Sequence, residues 1–298
     1  MRGSTALTVL ATVVLCVLAT AVHAQRTTAR PWVDRWFVTS DSVRLHYLSG
    51  GRGAAGDPTI VFVPGWTMPA DIWEPQLRYF ARSWRVVALD PRSQGASQRT
   101  ADGNYTDARA RDIHELIAHL KAPRVVVVGW SMGVPEALEL VEQFGTQDIA
   151  GLVLVDNFVW VPPGSPLAGF MDTLLFHLLR DRPVFTATFV RGMYRTPQDS
   201  TYLARITRTS LSTPTTTAYT LLASTFATGR RDWRPALDKM DRPLLFVGSA
   251  SMRETADTVR NHVHDAQVEI FENAGHALFV DEPDHFNRVL EDFLKRLR

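Results

Sequence analysis

The 298-residue sequence contains a single cysteine, Cys16. An intrachain disulfide is therefore excluded. Because Cys16 falls in an N-terminal stretch read below as removed, the remaining chain also has no thiol nucleophile and no thiolate metal site. A charge of one sign is likewise missing. The 32 Lys and Arg residues against 31 Asp and Glu leave a formal net charge of +1, without the one-sided basic clustering that a nucleic-acid footprint requires. Internal repeats, heptads and low-complexity tracts are absent, which excludes solenoids, coiled coils and linker-dominated chains.

Long apolar runs are scarce too, with one exception at the N-terminus. Met1-Arg2-Gly3-Ser4 carries positive charge, Ala6 to Val22 is almost wholly apolar, and Val22-His23-Ala24 offers small or medium residues for cleavage. The pattern predicts a secretory signal peptide over 1–24, cut after Ala24, and export to the periplasm or beyond. The competing reading is a retained anchor, for which the run is near the lower spanning limit. With the segment cut, no stable membrane association is expected. Arg26 to Pro31 reads as a polar leader.

The stretch 25–298, about 270 residues, is enough for one sizeable α/β domain. Strand patterns fall at 36–39 and 43–48, a hairpin pair, then at 59–63, 84–89, 125–128, 152–155, 244–247 and 268–271. Helical spacing recurs between them, over 72–80, 105–120 and 286–297. Strands separated by helices make βαβ units, so most of the sheet is expected to be parallel and covered on both faces. Residues 158–233 break the rhythm. Leu167, Phe170, Met171, Leu174, Leu175, Leu178 and Leu179 recur at helical intervals with no convincing strand. So long a helical crossover exceeds what one βαβ link needs; it is read as a lid over the carboxyl ends of the strands, where open α/β sheets bind ligands.

Val125-Val126-Val127-Val128 runs straight into Gly129-Trp130-Ser131-Met132-Gly133, and helix follows. Four β-branched residues in a row make a buried strand, and G-x-S-x-G between strand and helix is the turn that exposes a nucleophilic serine. By itself that motif matches cheaply; its position gives it weight.

Three further stretches join it. Val61-Phe62-Val63-Pro64-Gly65-Trp66, Ala88-Leu89-Asp90-Pro91-Arg92-Ser93-Gln94-Gly95-Ala96-Ser97 and Asn273-Ala274-Gly275-His276-Ala277-Leu278-Phe279 stand in order on the expected elements. Together the four motifs resemble the α/β-hydrolase superfamily, and within it the lidded, esterase-like members. Pro-Gly stands where the family usually has His-Gly, and Ser93 replaces a glycine. The resemblance implies a mostly parallel eight-stranded sheet flanked by helices, with a helical lid insertion, and it spans nearly the whole mature chain.

What it implies for chemistry can be set beside what acyl transfer requires. Ser131 needs a base, because a free hydroxyl is a weak nucleophile. His276 lies on a Gly-flanked turn after the last strand, where this fold carries its histidine. His46, His114, His119, His177, His262, His264 and His285 are read as surface or packing, and His23 leaves with the signal. The usual acid position after strand 244–247 holds Gly248-Ser249-Ala250-Ser251-Met252, without a carboxylate. Some hydrolases of the fold place the acid one strand earlier, which here is Asp156; Glu254 is the alternative. The oxyanion donors are expected to be the backbone N–H groups of Trp66 and Met132. Trp66, Trp130 and Trp160 are candidates for the wall of an apolar acyl pocket, or simply core. Neither a metal nor a cofactor is expected.

The reaction read from this is hydrolysis of a carboxylic ester with a small or medium acyl group through an acyl-enzyme. The partner is then a small ester-like molecule. Cleavage of an amide, lactone or C–C bond, or perhydrolysis, by the same triad is the alternative; a catalytically silent ligand-binding fold is another. A serine at the nucleophile position argues against chemistries of this fold that need a carboxylate there.

Overall fold

The computed structural model describes residues 30–162, 164–227 and 232–298; the expected signal peptide, 1–24, lies outside them. Eight strands form one sheet: β1 (Trp32–Val38), β2 (Arg44–Gly50), β3 (Thr59–Val63), β4 (Val86–Asp90), β5 (Val125–Trp130), β6 (Ile149–Val155), β7 (Leu244–Ser249) and β8 (Gln267–Phe271). Their order is β1-β2-β4-β3-β5-β6-β7-β8. The β1–β2 and β2–β4 pairings are antiparallel, and all later pairings are parallel. This is the sheet the sequence predicted, with shifted edges. β1 begins at Trp32 rather than Trp36, because it is an edge strand that buries only Trp32 and Phe37 and so shows no clean alternation.

The valine run explains why the sheet is centred on β5. All four valines are 0% exposed, alternating between two cores as strand geometry demands. Val126 and Val128 join Ile60 and Phe62 beneath helices α1 (Glu74–Phe80) and α11 (Pro283–Lys295). Val125 and Val127 join Val61 and Val63 on the other face, under α2 (Thr106–Leu120) and α3 (Gly133–Phe144). A sheet with both faces covered has its binding edge at the carboxyl ends of the strands.

Between β6 and β7 the chain forms α4 (Pro166–Arg180), α5 (Arg182–Gly192), α6 (Ser200–Leu211), α7 (Thr215–Leu222) and the short α8 (Arg234–Asp238). Among the described residues of that stretch the β pairing is a single bridge, Trp160 to Asp232. After β7 come α9 (Arg253–His262), then β8 and α10 (Leu278–Asp281).

His46, read from the sequence as surface or packing, is a buried ion-pair member on β2. Its Nδ1 lies 2.7 Å from Asp90 Oδ2 and its Nε2 lies 2.9 Å from Asp34 Oδ1. Two carboxylate partners need two N–H donors, and only the imidazolium has both. Burial by itself would lower the imidazole pKa; Asp90 and then Asp34 outweigh it and raise it above the ordinary 6.5. Asp34 is exposed and screened, so Asp90 is the stronger partner. A raised native pKa gives stabilisation that is complete below the unfolded value and lost as pH rises through the native one. Stability to urea is therefore expected to be complete below the ordinary imidazole range and to fall as pH rises above 6.5 in the native sequence, and His46→Asn should flatten that fall. Urea midpoints at stepped pH check this.

Candidate active site

Ser131 sits at the turn from β5 into α3 with φ of 54°. A non-glycine residue in this left-handed region costs roughly 1–2 kcal/mol, a strain the surrounding contacts must hold. One such contact is the Ser131 N–H, which donates to Val155 O at 2.9 Å. The turn is tight enough that a Cβ at Gly129 would lie 2.2 Å from Gly133 O. The glycine spacing of the motif thus has a steric cause.

Three side chains meet at this turn. His276 Nε2 is 2.8 Å from Ser131 Oγ, and His276 Nδ1 is 2.7 Å from Asp156 Oδ2. An ionised carboxylate only accepts, so Nδ1–H donates to Asp156; this tautomer leaves Nε2 to accept from the Ser131 hydroxyl. Asp156 follows β6 with φ of 50° and is 3% exposed. Its other oxygen, Oδ1, accepts from Ser249 N–H at 2.6 Å. The end of β7, which lacks a carboxylate, therefore supplies a backbone donor to the acid after the neighbouring strand. Glu254 is not brought to the histidine. It is exposed on α9 and lines, with Trp160, Phe158 and Ser251, a cavity of about 390 Å³ whose lining includes neither Ser131 nor His276.

The histidine turn is fixed from several sides. Trp130 Nε1–H donates to His276 O at 2.8 Å, with the two rings 5.2 Å apart. Asp281 accepts from Gly275 N–H and Arg195 N–H, both at 2.8 Å. Ala277 N–H donates to Met193 O at 2.9 Å, so the helical insertion itself anchors the loop.

The loop after β3 closes on the serine. A Cβ at Gly65 would lie 2.8 Å from Ser131 Cβ and 3.2 Å from its Oγ. The next N–H, of Trp66, and that of Met132 have no acceptor among the described residues, as donors reserved for a developing oxyanion would. The Trp66 indole points up into the insertion. Its N–H donates to Ala218 O at 2.8 Å, and Phe185 and Phe189 stand edge-on at 5.9 and 5.3 Å. Of the three tryptophans read as pocket candidates, Trp66 alone joins the insertion to the site. Trp130 is core, 1% exposed between Trp73, Phe279 and the histidine. Trp160 sits apart under the Arg234 guanidinium at 3.8 Å.

Other residues at the site escaped the sequence reading. Asn157 donates its amide N–H to Ser131 O at 2.7 Å. Arg109 on α2 places Nη1 3.0 Å from Glu136 Oε1 on α3, both 1% exposed. Burial pushes the Glu136 carboxyl up to about 7, against the pull of Arg109. A signal was available, because Arg109 and Asp112 fall on the helix face of Ile113 and Leu116, where charge must be paired. Ser93, which replaces a family glycine, adopts φ of 64°; its Oγ accepts from Thr100 N–H at 3.0 Å, which offsets part of the strain.

Among the described residues no group of three or more His, Cys, Asp or Glu is placed to hold a metal ion, and no helix is long and apolar enough to cross a membrane.

Comparison with known proteins identifies relatives of the chain. Residues 58–283 match the family model described as the alpha/beta hydrolase fold. A pimeloyl-acyl-carrier-protein methyl ester esterase from Nitrosomonas europaea is 26% identical over 255 residues, covering 81% of this chain and 96% of that protein. A non-heme chloroperoxidase from Kitasatospora aureofaciens is 26% identical over 285 residues, covering 87% and 98%. Among solved structures, an esterase from Exiguobacterium antarcticum superposes with a TM-score of 0.79 at 22% identity, covering 87% of this chain and 98% of that one.

Proposed function

The chain belongs to the alpha/beta hydrolase fold family, and from that premise we propose that it is a serine hydrolase that cleaves a carboxylic ester through an acyl-enzyme. One observation carries the reading: the unbroken hydrogen-bonded line from Asp156 through His276 to Ser131. The esterase relative supports it.

In the first half-reaction Ser131 Oγ attacks the ester carbonyl while His276 Nε2 takes its proton. Asp156 holds the ring in the productive tautomer and stabilises the imidazolium. The carbonyl oxygen becomes an oxyanion received by the N–H groups of Trp66 and Met132, interactions that strengthen only as charge develops. The intermediate collapses, the C–O bond to the alcohol breaks, and His276 returns the proton to the leaving oxygen. Water then repeats the sequence on the acyl-enzyme, releasing the acid and restoring Ser131.

The insertion acts as a lid in this reading. Phe185 and Phe189 beside Trp66 present an apolar boundary to the acyl group, and the enzyme acts outside the cytoplasm after signal cleavage. A panel of p-nitrophenyl esters graded by acyl length, run on the mature chain, tests the reading. Turnover is expected to peak at a small or medium acyl group. Equal absence of turnover for every ester would reject it.

A further inference from the structure

Gln94 is 0% exposed and makes four hydrogen bonds with one amide. Its Oε1 accepts from Thr67 N–H at 3.0 Å and from Arg109 Nη1 at 2.8 Å. Its Nε2 donates to Gly65 O at 3.1 Å and to Met68 O at 2.9 Å. Two acceptor sites and two protons are the whole capacity of the group.

The contact to Gly65 O has a consequence fixed by covalent geometry. Gly65 C=O and Trp66 N–H belong to one planar trans peptide unit, in which O and H point in opposite directions. Gly65 O accepts from Gln94 Nε2 and from Met68 N–H, both at 3.1 Å, and donors that hold the oxygen on one side hold the hydrogen on the other. The same loop lies against Ser131, as the Gly65 spacing shows. The orientation of the amide is itself determined: Arg109 has no acceptor, so the amide oxygen must face it and the NH₂ must face the two carbonyls. Arg109 is held in turn by Glu136 Oε1 and by Arg92 O at 2.8 Å. Glu136 is on α3, the helix that begins just after Met132. The chain Gln94–Arg109–Glu136 therefore links the loop of one unpaired N–H to the helix of the other.

We propose that Gln94 is a positioning residue for the oxyanion hole, pinning the Gly65–Trp66 peptide so that the Trp66 N–H faces the Ser131 hydroxyl. This rests on the serine-hydrolase reading above. Gln94→Glu tests it, because a carboxylate keeps the bonds to Thr67 and Arg109 but cannot donate to Gly65 O. The expected result is a fall in kcat on the order of 10²-fold with KM within about threefold of wild type. Affinity for phenylboronic acid, whose serine adduct is tetrahedral like the transition state, should weaken in parallel. The kcat is expressed per folded molecule, counted by end-point phosphonate labelling of Ser131. Gln94→Met, similar in length but without polar atoms, is read in the same way and covers a failure of Gln94→Glu to fold. A purely structural role would lower the melting temperature and leave kcat per folded molecule and boronate affinity unchanged; that result overturns the proposal. Failure of the underlying reading shows separately, as ester turnover by the wild type that survives in Ser131→Ala.

Discussion

Asp156→Asn is expected to lower kcat by about 10⁴-fold, whereas Glu254→Gln should leave it within about twofold. An asparagine is nearly isosteric with the acid, so the fold has no cause to change. What changes is the bonding. Ser249 N–H already donates to Oδ1, which leaves the asparagine NH₂ facing His276 Nδ1. An NH₂ group donates, so it favours the tautomer in which Nδ1 accepts and Nε2 carries the proton. That imidazole cannot take the proton of Ser131, and the imidazolium loses its counter-charge. Glu254 has none of these contacts. Steady-state kinetics of the two variants on one chromogenic ester decide between the acids, and the opposite pattern would transfer the role to Glu254.

Ser131→Ala should remove about 10⁶-fold of kcat, leaving only what the oxyanion donors and binding supply over water. The size of this loss follows from the nucleophile and base acting as one unit. Without Oγ, His276 has no proton to take and the acyl-enzyme has no atom on which to form. His276→Ala is expected to cost about as much, and the double variant scarcely more, because losses within such a unit do not add. A sum of the two single losses in the double variant would mean that the residues work independently.

These expectations rest on a site of which a large part is legible in the sequence. Local patterns did best where one physical rule dominates. The four valines had to be a buried strand, and the glycines flanking Ser131 had to serve a tight turn. Asp156 is less legible, since its role requires the end of β6 to reach a loop beyond β8. The structure shows why it can: β6 and β7 are neighbours, and the β7 end presents a backbone N–H in place of a side chain. The readings left open were those about where a side chain points. Trp130 adjoins Ser131 and Trp160 follows Asp156 by four residues, yet Trp130 turns into the core and Trp160 faces another cavity. Direction depends on packing across elements far apart in the chain, which spacing cannot show. The buried partnerships of His46, Gln94, Arg109 and Glu136 were hidden for the same reason. Each joins segments of sequence that carry no common pattern.

The central claim is that an acyl group passes through Ser131. Rapid quenching of the mature protein during turnover of a p-nitrophenyl ester, followed by peptide mass spectrometry, tests it most directly. The account predicts an acyl mass increment on the peptide bearing Ser131, formed at the rate of the p-nitrophenol burst and absent from Ser131→Ala. Full turnover with the acyl group on another residue, or undiminished turnover in Ser131→Ala, would contradict it.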